Sequence, residues 1–423
     1  EVKLEAYVLR PALQLADEVS RPLLLRVLRE ESGGLLRHLA ALRLVAFLER
    51  DGVASPLKRR LFGHAEGRRL RAAPVRPGRD ALAIDLNSAL IEGLEHGQDL
   101  EVQRLCIRHL VLATVPADAS QDRRDSDTCA IMGRLRIVYT PPPPLERVLH
   151  EPALRAYSSV MALLLRVQYA ESAMLEASRL PFLGPCDRHR RARSRSLPMG
   201  FTHFAHGCDM FRTEIAHFLG CLERYLQFNV IQSSTRTLQA RLQWLVDSGP
   251  RCASDSPRTT SRQSGLVSGS HNMVEHAAHL HGEYVHQLMQ ECFLAPELHA
   301  VLTDIQQLLG MAVELRDLLA ELTRRLQLRE GLAESAPEED PGLQDLGSTV
   351  TGGLGVDSFC HDAWQADSGV LLARTRIADL QREFRGCVRY LLQVLMFSVG
   401  RGTSHQVWSL CAQINFNGFY REA

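Results

Sequence analysis

Lysine is almost missing from this chain: apart from Lys3 and Lys58 every basic residue is arginine. Lys plus Arg number 49 and Asp plus Glu 49, so the formal net charge is zero. A chain with no net field has no global preference for nucleic acid or for an acidic membrane surface. Ten cysteines are present but no Cys-x-x-Cys pair, and their spacings match neither a zinc site nor a redox motif. They read as buried, reduced thiols. No uninterrupted apolar run reaches the ~18 residues that span a bilayer. The first residues, Glu1 to Glu5, carry charges of both signs where a signal peptide has a basic and then an apolar stretch. Glu1 stands where an initiator Met would, and a processed chain or a fragment is expected. The motifs of common enzymes are missing too: no Gly-x-Ser-x-Gly elbow, no kinase signature and no paired-carboxylate motif. Gly352, Gly353 and Gly355 lack the Lys-Ser/Thr ending of a phosphate loop.

What is present is helical periodicity. The chain has 423 residues, 45% hydrophobic and 23% charged, enough for two or three cores of ordinary size. Phe211, Ile215, Phe218, Leu222 and Tyr225 step by four and three, as do Ile377, Leu380, Phe384, Cys387, Leu391 and Val394. Val274, Ala278, His281, Val285, Leu288 and Cys292 form another seam, followed by Leu298, Leu302, Ile305, Leu309 and Ala312. Leu9, Leu13 and Ala16, then Leu24 and Leu28, then Leu35, Leu39 and Leu42 repeat the theme, with Gly33 and Gly34 between the last two. Each seam needs facing helices to cover it, so an all-α fold of two consecutive helical bundles is predicted. Leu135, Ile137 and Tyr139 alternate with Arg134, Arg136 and Val138 ahead of Pro141 to Pro144. That pattern predicts a short strand or extended arm between the bundles, which are set at 1–133 and 134–423. Residues 115–130, 181–200, 248–272 and 329–359 read as long disordered loops.

Two constellations invite a chemical reading. His271, His276, His279, His281 and His286 lie in or beside one helix, but Glu275 precedes His276 rather than lying between the histidines, unlike a metalloprotease motif. His281 falls on the apolar seam, where a core histidine with one hydrogen bond is expected. No metal ligand is assigned. Arg188, Arg190, Arg191, Arg193 and Arg195 form a basic run without an interleaved aromatic, which fits a solvated loop rather than a nucleic-acid site.

Three segments, read in order, resemble the γ-tubulin complex component family. The first is LLRHLAALRLVAFLERDG followed by SPLKRRLFG. The second is LRIVYTPPPPLERVLHEPALRAYSSVMALLLRVQYAESAML, similar to the family's extended segment leading to Pro-Leu and a helix. The third is FRTEIAHFLGCLERYLQFNVIQSSTRTLQARL, with a Tyr-Leu-Gln-Phe-x-Val-Ile centre, joined after an insertion by HLHGEYVHQLMQECFL. The ending INFNGFYREA resembles the larger members, components five and six, six being the closer. The resemblance implies the C-terminal, γ-tubulin-binding half of such a component. It implies a non-enzymatic scaffold without cofactor, assembled with other components in a ring at a microtubule organizing centre (centrosome or spindle pole) of the cytoplasm, templating microtubule nucleation, with no nucleic acid or membrane partner. Arg224, Tyr225, Gln227 and Asn229 on the long helix and Asn415, Phe416, Asn417 and Tyr420 in the tail are its candidate interface residues. Tyr225 also sits on an apolar seam, where core packing is at least as good a reading. The alternative function is a helical adaptor that binds other proteins through the Arg-rich and acidic loops and does not bind tubulin.

Overall fold

The computed structural model describes residues 34–70, 79–95, 100–115, 128–180, 199–247, 271–334, 368–399 and 405–422. The periodic leucines from Leu9 to Leu28, the basic run from Arg188 to Arg195, the glycines from Gly352 to Gly355 and most of the four expected loops lie outside these residues. Within them the chain is all-α with one small two-stranded sheet. The expected loops are shorter than their sequence suggested at several ends. A helix occupies Thr128–Gly133, and another continues through Glu334.

The elements divide into two compact units. One joins the described residues up to Arg166 with Arg224–His299, and the other joins Val167–Glu223 with those from Ala300 onward. The division expected after residue 133 falls inside the first unit, because the strand that follows it pairs with a strand that precedes it.

In the first unit α1 (Leu35–Ala46), α2 (Asp51–Leu70), α3 (Arg79–Glu95) and α4 (Leu100–His109) lead into β1 (Leu110–Thr114). After α5 (Thr128–Gly133) comes β2 (Leu135–Tyr139), antiparallel to β1 with Leu112 opposite Ile137. The expected strand is thus β2, and its partner β1 was not foreseen. Leu110, Leu112, Leu135, Ile137 and Tyr139 turn one face of the hairpin inward, while Val111 and Val138, opposite each other, stay exposed.

Side chains from flanking helices cap the outer edges of both strands. The Asn87 carboxamide on α3 donates to the Leu112 carbonyl at 2.8 Å and accepts the Leu112 N–H at 2.9 Å. On the far edge the Ile137 N–H donates to Ser158 Oγ at 2.9 Å. A two-stranded sheet is marginal by itself, and these bonds with the apolar face beneath it fix it in place.

The short α6 (Pro143–Glu146) carries the chain into α7 (Glu151–Ser178). The first half of α7 belongs to the first unit, together with α9 (Ser233–Asp247) and α10 (His271–Glu291). Its centre is a polar-tipped aromatic cluster in which Tyr157 is flanked by Phe47 and His281, with ring centroids 5.5 and 6.0 Å away. His281 Nδ1 lies 3.0 Å from the Val148 carbonyl, which only accepts, so Nδ1 carries the proton and Nε2 accepts from the Tyr157 hydroxyl at 3.0 Å. Burial lowers the His281 pKa to about 4. The histidine expected on the seam is therefore a core residue, held by two hydrogen bonds instead of one.

The second unit contains the end of α7, most of α8 (Met199–Arg224), α11 (His299–Glu334), α12 (Ser368–Val399), α13 (His405–Ile414) and α14 (Phe419–Glu422). Phe384 of α12 packs edge-on against Phe211 and Phe218 of α8, at 5.8 Å each. Arg316 on α11 is buried with an ion pair to Glu176 at 3.2 Å, and its guanidinium lies over Tyr169 at 5.6 Å. None of the six cysteines whose side chains are described forms a disulfide.

Candidate functional site

Between α8 and α9 the helix widens. Residues Tyr225–Gln232 form a π-helix, a conformation that is rare and concentrated at functional sites. The sequence explains the widening: two apolar doublets, Tyr225-Leu226 and Val230-Ile231, stand five apart. All four are buried, as a five-residue repeat requires. An ordinary α-helical turn would leave the second doublet out of line with the first.

The widened turn is bolted at two points. Gln227 donates from its side-chain amide to the Phe47 carbonyl at 3.2 Å, and Tyr225 donates from its hydroxyl to the Glu291 carbonyl at 2.9 Å while stacking on Phe293 at 5.6 Å. Both anchoring regions are strained. Leu48, next to Phe47, has φ 54 and Phe293 has φ 60, the two non-glycine residues in the left-handed region among those described. Each ends a helix where glycine is the usual occupant. Strained backbone persists only when its surroundings over-determine it, and such positions cluster at functional sites.

The π segment turns Phe228 outward, 59% exposed, with Arg224 exposed beside it and Gln227 and Asn229 half-buried. Phe228 was missed by the sequence reading. The doublets five apart were the available signal, since they force the residue midway between them to the outside. Tyr225, 1% exposed, packs in the core and supports the segment from below.

The other four candidates lie in the second unit, so the structure groups the eight into two sets, each described within its own unit. Asn415 follows α13, and Phe416–Gly418 make one 3₁₀ turn into α14. The Asn415 side-chain oxygen accepts the Tyr420 N–H at 2.9 Å and its carbonyl accepts the Gly418 N–H at 3.1 Å. Asn415 therefore caps the turn that leads into α14. Gly418 has φ 72, which lets the chain turn back without a Cβ penalty. Tyr420 is buried, and burial raises its pKa, as does the nearby charge of Glu214. Phe416 is 68% exposed at the crest of the turn. The Asn417 side chain lies outside the described residues.

The chemistry available at both places is adhesion. Each presents an outward phenylalanine, Phe228 or Phe416, on a backbone fixed by side-chain hydrogen bonds, the arrangement of an interface anchor. Among the described residues there is no group of three or more His, Cys, Asp or Glu that could hold a metal, and no helix long and apolar enough to cross a membrane. Compared with known proteins, residues 35–420 match the family model described as Gamma tubulin complex component C-terminal. No curated protein matches the chain.

Proposed function

The chain belongs to the γ-tubulin complex component family, a family of structural scaffolds rather than enzymes, and from that premise we propose that it binds γ-tubulin and positions it as a template for microtubule nucleation. The observation that carries the reading is the π segment, which exposes Phe228 between Arg224 and Asn229 on a backbone bolted to Phe47, Glu291 and Phe293. The tail supplies a second anchor in Phe416, beside Asn415 and Asn417. Both surfaces lie C-terminal to residue 134, in the part assigned from sequence to the partner. Tyr225 and Tyr420 serve from the inside, by holding the segments that carry the contacts.

The mechanism is geometric. Several γ-tubulins held side by side by such components, in a ring with other members of the family, have already lost the orientational freedom that free tubulin must lose at nucleation. The chain contributes rigidity, and the nucleotide chemistry belongs to γ-tubulin. Its place is the cytoplasmic microtubule organizing centre, centrosome or spindle pole, and among members it is assigned to component six, or else five, on the strength of its C-terminal residues.

The test is co-elution of the purified chain with purified γ-tubulin, then the same experiment with Phe228→Ala and with Phe416→Ala. Co-elution lost in either variant, with unchanged circular dichroism, supports the assignment. A wild-type chain that elutes apart from γ-tubulin removes it.

A further inference from the structure

The tail bearing Phe416 is tied down by one ion pair in the second unit. Arg385 on α12 donates to Glu214 on α8 through two nitrogens, Nε at 3.0 Å and Nη2 at 2.9 Å, a bidentate geometry on a carboxylate only 10% exposed. The hydrogen bond to Glu214 raises the Arg385 pKa further, despite partial burial. Both partners reach the tail. The Arg385 guanidinium lies over the Phe419 ring at 5.5 Å, and Glu214 lies close enough to the buried Tyr420 for its charge to raise the Tyr420 pKa. Phe419 and Tyr420 stand edge to face at 5.0 Å, so the pair grips two successive aromatic side chains just beyond the crest.

We propose that Glu214 and Arg385 are positioning residues for γ-tubulin binding: their ion pair holds Phe419 and Tyr420 so that the Phe416–Gly418 turn presents Phe416 outward in one fixed pose. The inference rests on the reading of the tail as part of the γ-tubulin surface. Helix-to-helix packing of α8 on α12 does not require the pair, because Phe384 already locks the two through Phe211 and Phe218. The tail's hold on the unit is thinner. Tyr420 is the one residue of Phe416–Tyr420 that is buried among those whose side chains are described. A fixed pose matters because a contact made by a wandering segment loses affinity to the entropy of ordering it.

The experiment uses the 423-residue chain with Arg385→Gln, Arg385→Lys and Phe416→Ala, read three ways: amide exchange of the tail in the free chain, γ-tubulin affinity, and the denaturation midpoint. Arg385→Gln is expected to speed exchange at the Gly418 and Tyr420 amides about tenfold or more and to weaken γ-tubulin binding about tenfold, with the denaturation midpoint of the chain little changed. Arg385→Lys, which keeps the charge but not the fork, should fall between Arg385→Gln and wild type in both readouts. Phe416→Ala should weaken binding while leaving tail exchange at the wild-type rate. Wild-type affinity in Arg385→Gln, when Phe416→Ala binds weakly, overturns the positioning role alone. Unchanged affinity in Phe416→Ala overturns the tail surface itself and the inference with it. Unchanged tail exchange in Arg385→Gln overturns the inference whatever the affinities are.

Discussion

Gly93 of α3 and Gly52 of α2 meet so closely that a methyl group on Gly93 would lie 2.6 Å from the Gly52 carbonyl oxygen and 2.7 Å from the Val53 Cα. Both obstacles are backbone, which cannot swing aside. Gly93→Ala is therefore expected to destabilise the chain by about 3 kcal/mol, the upper part of the overpacking range, by prying the two helices apart. Gly207→Ala is the contrast, since a Cβ there meets nothing within 4 Å in the interior of α8. It should stabilise by about 0.5–1 kcal/mol through helix propensity. Urea denaturation of both variants checks the pair of signs.

Asn87 holds the Leu112 amide and carbonyl at once, which no other common side chain of its size does. Asn87→Asp keeps an acceptor but turns a carboxylate oxygen toward the Leu112 carbonyl. It should cost more than Asn87→Ala, which is expected to lose about 1–3 kcal/mol by leaving the strand amide and carbonyl unmet. Equal stability of all three proteins by denaturant titration would remove the bridge from the fold's supports.

His281 makes the first unit sensitive to acid. Its pKa in the folded chain is lowered from 6.5 to about 4 by burial, with His150 adding to the depression and the Val148 carbonyl opposing it. The unfolded chain therefore binds the proton first as pH falls. The stabilisation is complete above about pH 6.5, declines between about 6.5 and 4, and is gone below; its size is about 3 kcal/mol at ~1.4 kcal/mol per unit. His281→Gln should be less stable than wild type at pH 7.5, and the gap should narrow as pH is lowered through that window. A gap that stays constant between pH 7.5 and 4 contradicts the assignment.

Phe228 offers the sharpest separation of binding from folding. Its side chain is 59% exposed, so Phe228→Ala should shift unfolding free energy by no more than about 0.5 kcal/mol. At an interface anchor the same change costs about 2 kcal/mol of binding, or more than tenfold in γ-tubulin affinity. Arg224→Glu should weaken binding in a salt-dependent way. Titration calorimetry at two salt concentrations measures both.

The long helices were legible because their seams repeat every three or four residues. Phe211, Ile215, Phe218, Leu222 and Tyr225 are all buried, as are Ile377, Leu380, Phe384 and Leu391. On α10 the buried stripe is Ala277, His281, Tyr284 and Leu288, and the expected Ala278 and Val285 are only half-buried. Tyr284 lies inside because its hydroxyl meets that of Thr235, a polar match that apolar periodicity does not register. Strand β1 escaped because Leu110 follows α4 with no breaker and Leu110–Thr114 shows no apolar-polar alternation. The π segment escaped for a related reason, since a search for period 3.6 passes over doublets five apart. Among the candidate residues, the burial of Tyr225 and Tyr420 and the outward turn of Phe228 depended on contacts with residues far away in the chain.

The hairpin of β1 and β2 has a further consequence for life in a crowded assembly. With Asn87 on one margin and Ser158 on the other, the middle of the ladder offers no vacant amide to a strand arriving from another molecule. Copies packed shoulder to shoulder can thus touch through side chains that separate again, without zipping together through their backbones.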